Sequence, residues 1–567
     1  MYKPSGFIPS DLQINSWDDL KPYFEKLIEL EINSVEDLEK LLLLSSEVDS
    51  VFSEYYAWSY IKMSCDTKSK EKVERYELFS SIIEPEVSKI TNIIDKKISE
   101  NLYFDSLPSD RYAQLKKHTK RDLELFRKEN VEINAELSKL GSKYDQIAGG
   151  LLVEIDGEKL PMPKAGVILQ STDRSKRKEA WDAIQKARFD VKDEFNTLFD
   201  DMVAKRHRIA LNAGYENFRD YQHDNYHRFD YTPKDTEEFH NAVEKVIVPL
   251  AREISIKKRD KLGLKKDDFR PWDTSGVPID LKPLKPFENG HELIQKAIKT
   301  FGAILPEFGE NLKKMNSNNL FDLDSREGKA PGGYNYGLEV TGMPFIFMNS
   351  AGTQGDLVTM MHEGGHAMHT FLTNSESLIN YRNTPMEMAE TASMSMELMT
   401  SGLWSKFYNK EDHKRARREH LEGIISFFPW CAIVDAFQHW IYLNPKHTTE
   451  ERYDYFDSLI ERFGNDSVNW EGFEHFRKAS WQRQSHVFGV PFYYIEYGIA
   501  QLGALQVYRN FKENPQKGLE GYVKGLSLGS SKPLPEVWEN MGIKFDFSVD
   551  TIKELIEFVQ KELKELD

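Results

Sequence analysis

The sequence predicts a mainly α-helical protein with a small β-sheet beside one buried helix. Apolar residues recur at helical spacing from residue 16 to about residue 102, and again over residues 109–148. Helical patterns resume at residue 175. Strand patterns are limited to short stretches near residues 151–160 and 344–349. We therefore expect helices to supply most of the core.

The first long helix has a recognisable start. Ser34 with Asp37 three residues further on resembles a capping box, and the leucines of residues 38–44 continue the helix. Aromatic residues cluster over residues 52–60, which indicates core packing between long helices rather than a binding surface.

A short hairpin is expected after the second helical block. Residues 151–155 and 158–160 have strand character and flank Asp156 and Gly157. An Asp-Gly pair between such runs is typical of a type I′ turn, whose two central residues need positive φ.

The chain is predicted to have two parts with a soft boundary near residue 195. The first is an N-terminal helical lobe of residues 1–195, and the second covers residues 196–567. No linker rich in proline, glycine or serine separates them. We therefore expect the two parts to pack tightly against each other.

The chemistry of the chain is concentrated in residues 362–366, which read His-Glu-Gly-Gly-His. Helical residues four apart lie on the same face, so His362 and His366 can direct imidazole nitrogens at one point. Zn²⁺ accepts such ligands and favours tetrahedral sites. Glu363 lies beside that point, where a carboxylate can take a proton from a metal-bound water.

Gly364 and Gly365 strengthen this interpretation. Each glycine costs about 1 kcal/mol in a helix relative to alanine, which is unusual in a helix with a purely structural role. Glycines suit a place where a backbone or a substrate must come close. The alternative is that the pentapeptide occurs by chance.

A third metal ligand is expected from the next helical stretch, residues 384–399. Glu387, Glu390 and Glu397 share one face of this methionine-rich helix. Buried carboxylates are costly unless a cation neutralises them. The alternative is a solvated acidic face, and the spacing alone cannot choose between Glu387 and Glu390 as the ligand.

Residues 362–369 and 389–393 together resemble the thimet oligopeptidase/oligoendopeptidase F family of zinc metallopeptidases. The oligoendopeptidase F branch, which includes the Pz-peptidases, is the more similar one. The resemblance runs from about residue 110 to near the C-terminus and is weakest in the first hundred residues. Position 364 is a departure, because relatives often carry a larger residue there. Further segments agree with the branch: residues 170–181, 270–273, 332–334 and 434–440.

The resemblance implies roles for single residues. It makes Glu390 the third zinc ligand and gives Glu397 the role of orienting a ligand histidine. It also maps a family histidine and two tyrosines, which assist the reaction, onto His486, Tyr494 and Tyr497. Because the spacing differs by about one residue from the thimet branch, Tyr493 is a rival to Tyr494. Without the resemblance, this segment would be interpreted as an aromatic core helix.

The resemblance further implies a two-lobed helical ellipsoid with a deep central channel that admits short peptides and excludes folded proteins. Residues 344–349 are expected to form an edge strand beside the zinc helix, where main-chain hydrogen bonds can hold an extended peptide. The alternative is a strand in the interior of the sheet. Residues 196–567 would then be the catalytic domain.

The expected function is therefore that of an oligoendopeptidase with one Zn²⁺ per chain. His362, His366 and Glu390 would hold the zinc, and Glu363 would act as general base on its water. One alternative is a metallocarboxypeptidase of similar helical architecture, although no arginine near the motif stands out as the cation for a terminal carboxylate. Another is a non-catalytic peptide-binding protein with structural zinc.

The composition of the chain limits the classes of partner and the cellular compartment that we expect. A net charge of −17 argues against nucleic acid or an anionic membrane as the main partner. Two cysteines in 567 residues fit a reducing compartment. The first ten residues lack the apolar core of a signal peptide, and no apolar run reaches membrane-spanning length. We expect a monomeric cytoplasmic protein that acts on short peptides.

Overall fold

A computed structural model describes residues 5–464 and 466–566. It confirms the mainly α-helical fold. In order along the described chain, the α-helices are α1 (Trp17–Glu29), α2 (Val35–Cys65), α3 (Lys70–Leu78), α4 (Glu84–Ser99), α5 (Ser109–Leu125), α6 (Lys128–Gly149), α7 (Met162–Ile168), α8 (Arg174–Asp190), α9 (Lys192–Asn212), α10 (Phe218–Asn225), α11 (Pro233–Ala242), α12 (Val248–Lys261), α13 (Gly290–Ile304), α14 (Pro306–Ser317), α15 (Gln354–Thr373), α16 (Ile379–Arg382), α17 (Met386–Ser401), α18 (Lys410–Leu443), α19 (Thr449–Phe463), α20 (Glu474–Ala479), α21 (Ser485–Gly489), α22 (Tyr494–Glu513), α23 (Pro515–Leu526), α24 (Leu534–Asn540) and α25 (Val549–Glu565).

Two small sheets accompany these helices in the described residues. The first is an antiparallel hairpin, and the second has the order β3-β5-β4, with β3 parallel and β4 antiparallel to β5. The strands are β1 (Leu152–Ile155), β2 (Glu158–Pro161), β3 (Phe321–Asp324), β4 (Tyr334–Leu338) and β5 (Met343–Ser350).

Two local predictions in the N-terminal part are confirmed. The hydroxyl of Ser34 accepts a hydrogen bond from the backbone N–H of Asp37 at 3.2 Å, so it caps α2 as expected. Asp156 and Gly157, between β1 and β2, have φ values of 52° and 79°. Two consecutive positive φ values are what a type I′ turn requires.

The two predicted parts share their packing. The main apolar core lies in the C-terminal part but takes in Ala57 and Ile61 of α2. Conversely, the separate core of the N-terminal lobe extends to Tyr381 of α16. Residue 195 itself lies within α9, and the boundary near it remains a prediction.

The strand that was predicted to lie at the edge of the sheet lies in its interior. Strand β5, which contains residues 344–349, is the central strand of its sheet because β3 and β4 pair with its two sides. Nearly all of its residues are buried, which is typical of a strand covered on both faces. The two edges of this sheet are β3 and β4, and β4 lies in the glycine-rich segment just before β5. The prediction of an edge strand at residues 344–349 was therefore wrong, and the alternative, a strand in the interior of the sheet, is confirmed.

Helix α15 packs against both β5 and α17. Its approach to α17 depends on Gly365, where an added Cβ would lie 2.6 Å from the Cα of Ser393 and 3.0 Å from the carbonyl oxygen of Ala392. An added Cβ on Gly364 would overlap the ring of Phe301 in α13. The unusual glycine pair thus allows close packing on two sides of α15.

Helix α18 is long and apolar enough, by length and composition, to cross a membrane. However, 78% of its most apolar window is buried inside the protein, as in a core helix of a globular fold. The two cysteines, Cys65 and Cys431, are both free.

The substitution Gly365→Ala should destabilise the fold by about 1–3 kcal/mol, because the added methyl group forces α15 and α17 apart. The measurement is the free energy of unfolding in denaturant. Gly141→Ala in α6 is the matched control, since an added Cβ there meets nothing within 4 Å. That variant should gain about 0.5–1 kcal/mol from helix propensity. Equal stability of the two variants would contradict the proposed contact.

Candidate active site

Helices α15 and α17 bring three candidate metal ligands together. The Nε2 atom of His362 lies 3.2 Å from Nε2 of His366 and 3.1 Å from Oε2 of Glu390. The Nε2 atom of His366 lies 3.5 Å from the same carboxylate oxygen. The three side chains therefore converge on one point, although Glu390 is distant from the histidines in sequence.

These separations fit a tetrahedral zinc site. Ligand atoms about 2.0–2.1 Å from Zn²⁺ lie about 3.3–3.4 Å from one another in that geometry. Two imidazoles and one carboxylate are also a ligand set of catalytic zinc, which keeps a further position for water. The residues present therefore suit a divalent cation such as Zn²⁺.

Electrostatics link the three groups. Burial alone would raise the pKa of Glu390, but the two histidines beside it hold the pKa well below its usual range. Burial would lower the pKa of His362, yet hydrogen bonds to Glu390 and Glu397 raise it well above the ordinary value. The carboxylates thus create a strongly cation-attracting position between the helices.

Glu397 orients His362 from the side opposite Glu390. One carboxylate oxygen lies 2.7 Å from Nδ1 of His362, and the other lies 3.0 Å from Nε2 of His420 on α18. A carboxylate on Nδ1 fixes the ring and leaves Nε2 available as a ligand atom. This contact agrees with the orienting role expected for Glu397.

The choice between Glu387 and Glu390, which the spacing left open, depends on what surrounds each carboxylate. Glu387 accepts a hydrogen bond from the hydroxyl of Tyr231 at 2.5 Å and lies 3.8 Å from Nε of Arg228. Its charge is therefore compensated away from the histidines. Only Glu390 of the two contacts His362 and His366 among the described side chains.

Glu363 lies beside the ligand cluster and is only 5% exposed. Burial raises the pKa of its carboxyl group. Its Oε2 has no hydrogen-bond partner among the described residues. An added Cβ on Gly333, at the start of the β4 edge, would lie 3.5 Å from Oε1 of Glu363. Oε2 of Glu363 is therefore free of hydrogen bonds, and Oε1 faces the glycine that directly precedes β4.

His486 and Tyr497 form a hydrogen-bonded pair beside the same cluster. Nε2 of His486 lies 3.0 Å from the hydroxyl of Tyr497, and Nδ1 lies 2.7 Å from Nε2 of Gln484. Burial lowers the pKa of His486 to about 4, so the imidazole is neutral at pH 7. Burial raises the pKa of Tyr497 well above its usual value, so its hydroxyl keeps its proton.

The two rival tyrosines differ in what their hydroxyls contact, although both rings lie beside His486, with centroid distances of 5.8 Å for Tyr493 and 5.2 Å for Tyr494. The hydroxyl of Tyr493 donates a short hydrogen bond to Oε1 of Glu390. Tyr494 interacts instead with Trp430, and its ring lies 6.1 Å from that of Phe427. This geometry favours Tyr493 over the predicted Tyr494 as the tyrosine nearer to the candidate metal site.

A strained turn positions Tyr493, and its supports were not predicted. Phe492 has a φ of 66°, which is rare for a bulky residue. Its N–H donates to Oε1 of Gln438 at 2.8 Å, and its carbonyl accepts from the guanidinium of Arg228 at 2.6 Å. Gln438 belongs to residues 434–440, which carried part of the resemblance. No sequence signal pointed to Arg228 or to Gln484.

A cavity of about 1150 Å³ reaches the site. His486 and Gly332 line it on the side of the candidate ligands, and Trp181 and Trp470 line a more distant part. This volume is large enough for several residues of an extended peptide.

Comparisons with known proteins find similar families and structures over most of the chain. A model of Peptidase family M3 matches residues 167–556, and a model of the Peptidase M3 N-terminal domain matches residues 7–126. The solved structure of Pz peptidase A with an inhibitor superposes with a TM-score of 0.93, at 26% identity over 99% of each chain.

Two curated relatives carry the printed name oligoendopeptidase F homolog. The one from Borreliella burgdorferi is 23% identical over 92% of this chain and 89% of its own length. The one from Mycoplasma genitalium is 26% identical, but the match spans about half of each protein, 49% of this chain and 48% of the relative.

Glu397→Gln should weaken the binding of a divalent cation by about 10–100-fold, because an amide cannot accept hydrogen bonds from both His362 and His420 as the carboxylate does. The measurement is the dissociation constant for Zn²⁺, by competition with a chelating dye. Glu376→Gln is the matched control, since that carboxylate pairs with Arg111 and does not contact the candidate ligands. An unchanged constant in Glu397→Gln would remove the orienting role.

Proposed function

The chain belongs to peptidase family M3, and from this membership and the geometry of the site we propose that it is a zinc-dependent oligoendopeptidase that hydrolyses internal bonds of short peptides. The proposal is carried by one observation: two imidazoles and a carboxylate from α15 and α17 converge beside the buried carboxylate of Glu363.

His362, His366 and Glu390 would hold the zinc. When bound, Zn²⁺ supplies a Lewis acid that polarises a carbonyl group and makes a water molecule more acidic. The carboxylate of Glu390 offsets part of the ionic charge, and Glu397 keeps the imidazole of His362 in the required orientation.

Glu363 would act as the general base and then as the general acid. Its free Oε2 accepts a proton from the attacking water. The same carboxyl group delivers the proton to the amine that leaves when the peptide bond breaks. Its buried setting favours this exchange, because burial raises its affinity for a proton.

The hydroxyl groups near the site would stabilise the negative charge that builds on the carbonyl oxygen. Tyr497 remains a donor because its pKa is raised by burial. The amide nitrogen of Gln484 donates to Nδ1 of neutral His486, so Nε2 carries the proton and donates to the Tyr497 hydroxyl, which it holds in place. Tyr493 contributes a second hydroxyl once it is released from Glu390.

The peptide would lie along the β4 edge and enter the adjoining cavity. An edge strand offers unpaired main-chain groups to an extended peptide, and β4 borders Gly333 and Glu363. The division into an N-terminal lobe and a catalytic domain near residue 195, one Zn²⁺ per chain, a monomeric state and a cytoplasmic location complete the proposal.

Glu363→Gln should lower peptide turnover by about 10²–10⁴-fold, because the amide cannot accept the proton of the attacking water. The measurement is kcat/KM on an internally quenched peptide, together with bound zinc. Bound zinc should be retained, since Glu363 is not one of the three ligands. Unchanged turnover would instead support the non-catalytic, structural-zinc alternative and a contaminating activity.

A peptide blocked at both ends separates the endopeptidase from a metallocarboxypeptidase. Hydrolysis of that peptide by the wild type supports an endopeptidase. Hydrolysis of only the peptide with a free C-terminus supports the carboxypeptidase alternative.

Tyr493→Phe and Tyr497→Phe should each lower kcat by about 10²–10³-fold if their hydroxyls stabilise the oxyanion. Tyr494→Phe is the matched control, because the hydroxyl of Tyr494 contacts Trp430 rather than Glu390 or His486, and its loss should cost much less. The measurement is kcat and KM for the three variants on one peptide. A large loss in Tyr494→Phe with none in Tyr493→Phe would restore Tyr494 to the role first predicted.

A further inference from the structure

Two arginines line the cavity that adjoins the candidate active site. Arg188 lies near the end of α8, and Arg483 is the last residue of a short 3₁₀ turn, Ser480–Arg483. They are almost three hundred residues apart in sequence, so nothing in the sequence pairs them. The fold brings both side chains to the lining of one cavity, near enough for the charge of Arg483 to act on Arg188.

Within residues 5–464 and 466–566, neither guanidinium makes an ion pair or a hydrogen bond to another protein group. Arg483 lies over the ring of Trp430 at 4.8 Å from its centroid, which fixes its direction without neutralising its charge. Burial and the neighbouring charge of Arg483 lower the pKa of Arg188 to about 10. Both groups nevertheless remain charged at neutral pH.

The other cations of the cavity, unlike the two arginines, have carboxylates near them. Lys258 is near Glu419 and Glu422, which oppose the effect of burial on its pKa. Arg252 lies 3.5 Å from Asp466. The uncompensated positive charge of the cavity is thus concentrated at Arg188 and Arg483, in a protein whose net charge is −17.

A short series of contacts connects Arg483 to the candidate catalytic groups. The ring that it covers, Trp430, donates from Nε1 to Oε1 of Gln484 at 3.1 Å. Gln484 in turn lies 2.7 Å from Nδ1 of His486, and His486 contacts Tyr497. Arg483 therefore lies within reach of an extended peptide whose scissile bond is beside His486, and Arg188 lines the same cavity.

We propose that Arg188 and Arg483 bind a carboxylate of the peptide substrate and thereby fix the distance between that carboxylate and the bond that is cut. A guanidinium group can bind both oxygens of a carboxylate at once. Two such groups in the lining of one cavity therefore favour an anion strongly. The proposal rests on the proposed peptidase function. The carboxylate can be the C-terminus of the peptide or an Asp or Glu side chain.

The test uses pairs of internally quenched peptides that share one length and one core sequence. The first pair has a neutral sequence and ends in either a free carboxylate or an amide. The second pair ends in an amide and carries either Glu or Gln at one position, which is moved along the C-terminal half in successive sets. The quantity compared is the kcat/KM ratio of the charged to the uncharged member of each pair.

The wild type should prefer the charged member of one pair by about 10–100-fold, the range of a charge-assisted hydrogen bond. Preference within the first pair identifies the terminal carboxylate, and preference within the second identifies a side chain. Arg188→Gln and Arg483→Gln should each bring that ratio toward one, mainly through KM. Lys258→Gln, in the same cavity but already compensated, should keep the wild-type ratio.

Mapping the cut positions by mass spectrometry gives a second readout. The bond cut in wild type should keep a constant distance from the preferred carboxylate, whereas the arginine variants should cut at more than one position. Arg188→Lys and Arg483→Lys, which keep the charge but lose the bidentate fork, should give intermediate ratios.

Failure of this proposal and failure of the proposed function look different. If the wild type cuts the peptides with equal kcat/KM for charged and uncharged members, or if the arginine variants keep the wild-type ratio, the arginine proposal is wrong and the peptidase stands. If no peptide is cut, the proposed function fails, and the dissociation constants of the same peptide pairs still decide whether the arginines bind a carboxylate. Should an arginine variant not fold, the wild-type ratio and the lysine variant decide the question.

Discussion

The close approach of α15 and α17 is the constraint on which the rest of the candidate site depends. It is possible because Gly365 presents no side chain where the backbone of residues 392 and 393 passes. With the helices at this separation, Glu390 reaches both His362 and His366. A wider spacing would separate the two imidazoles from the third candidate ligand and leave a buried carboxylate without a counter-charge.

The same helix pair shows how the protein accommodates several buried carboxylates. Each one on α17 has its own partner: Glu387 meets Tyr231 and Arg228, Glu390 meets the two ligand histidines, and Glu397 joins His362 to His420. Because Glu387 is matched by Tyr231 and Arg228 and Glu397 by two histidines outside the point of convergence, Glu390 is the carboxylate left to face a cation between His362 and His366. Arg228 also donates a hydrogen bond to the carbonyl of Phe492 in the strained turn before Tyr493. The same guanidinium therefore connects Glu387 on α17 with the turn that positions Tyr493.

The two arginines in the cavity differ from these carboxylates because their charges are not compensated by described protein groups. Groups inside the ligand cluster are matched within the protein, whereas Arg188 and Arg483 are not matched by any described protein group. Uncompensated charge that solvent can reach from a cavity is tolerable because water solvates it, and an anionic ligand that takes the place of that water is favoured. This contrast separates the part of the molecule proposed for chemistry from the part proposed for selecting substrates.

The sequence by itself determined the mainly α-helical fold, the type I′ hairpin, the His-Glu-Gly-Gly-His helix and the family, because each depends on local spacing or on motifs read directly from residues. Only the tertiary structure separated Glu390 from Glu387, brought the hydroxyl of Tyr493 rather than that of Tyr494 to Glu390, placed β5 at the centre of its sheet, and brought Arg188 and Arg483 to one cavity. Those outcomes depend on how helices rotate and how strands order against one another. That arrangement follows from packing between distant segments, which spacing along the chain does not encode.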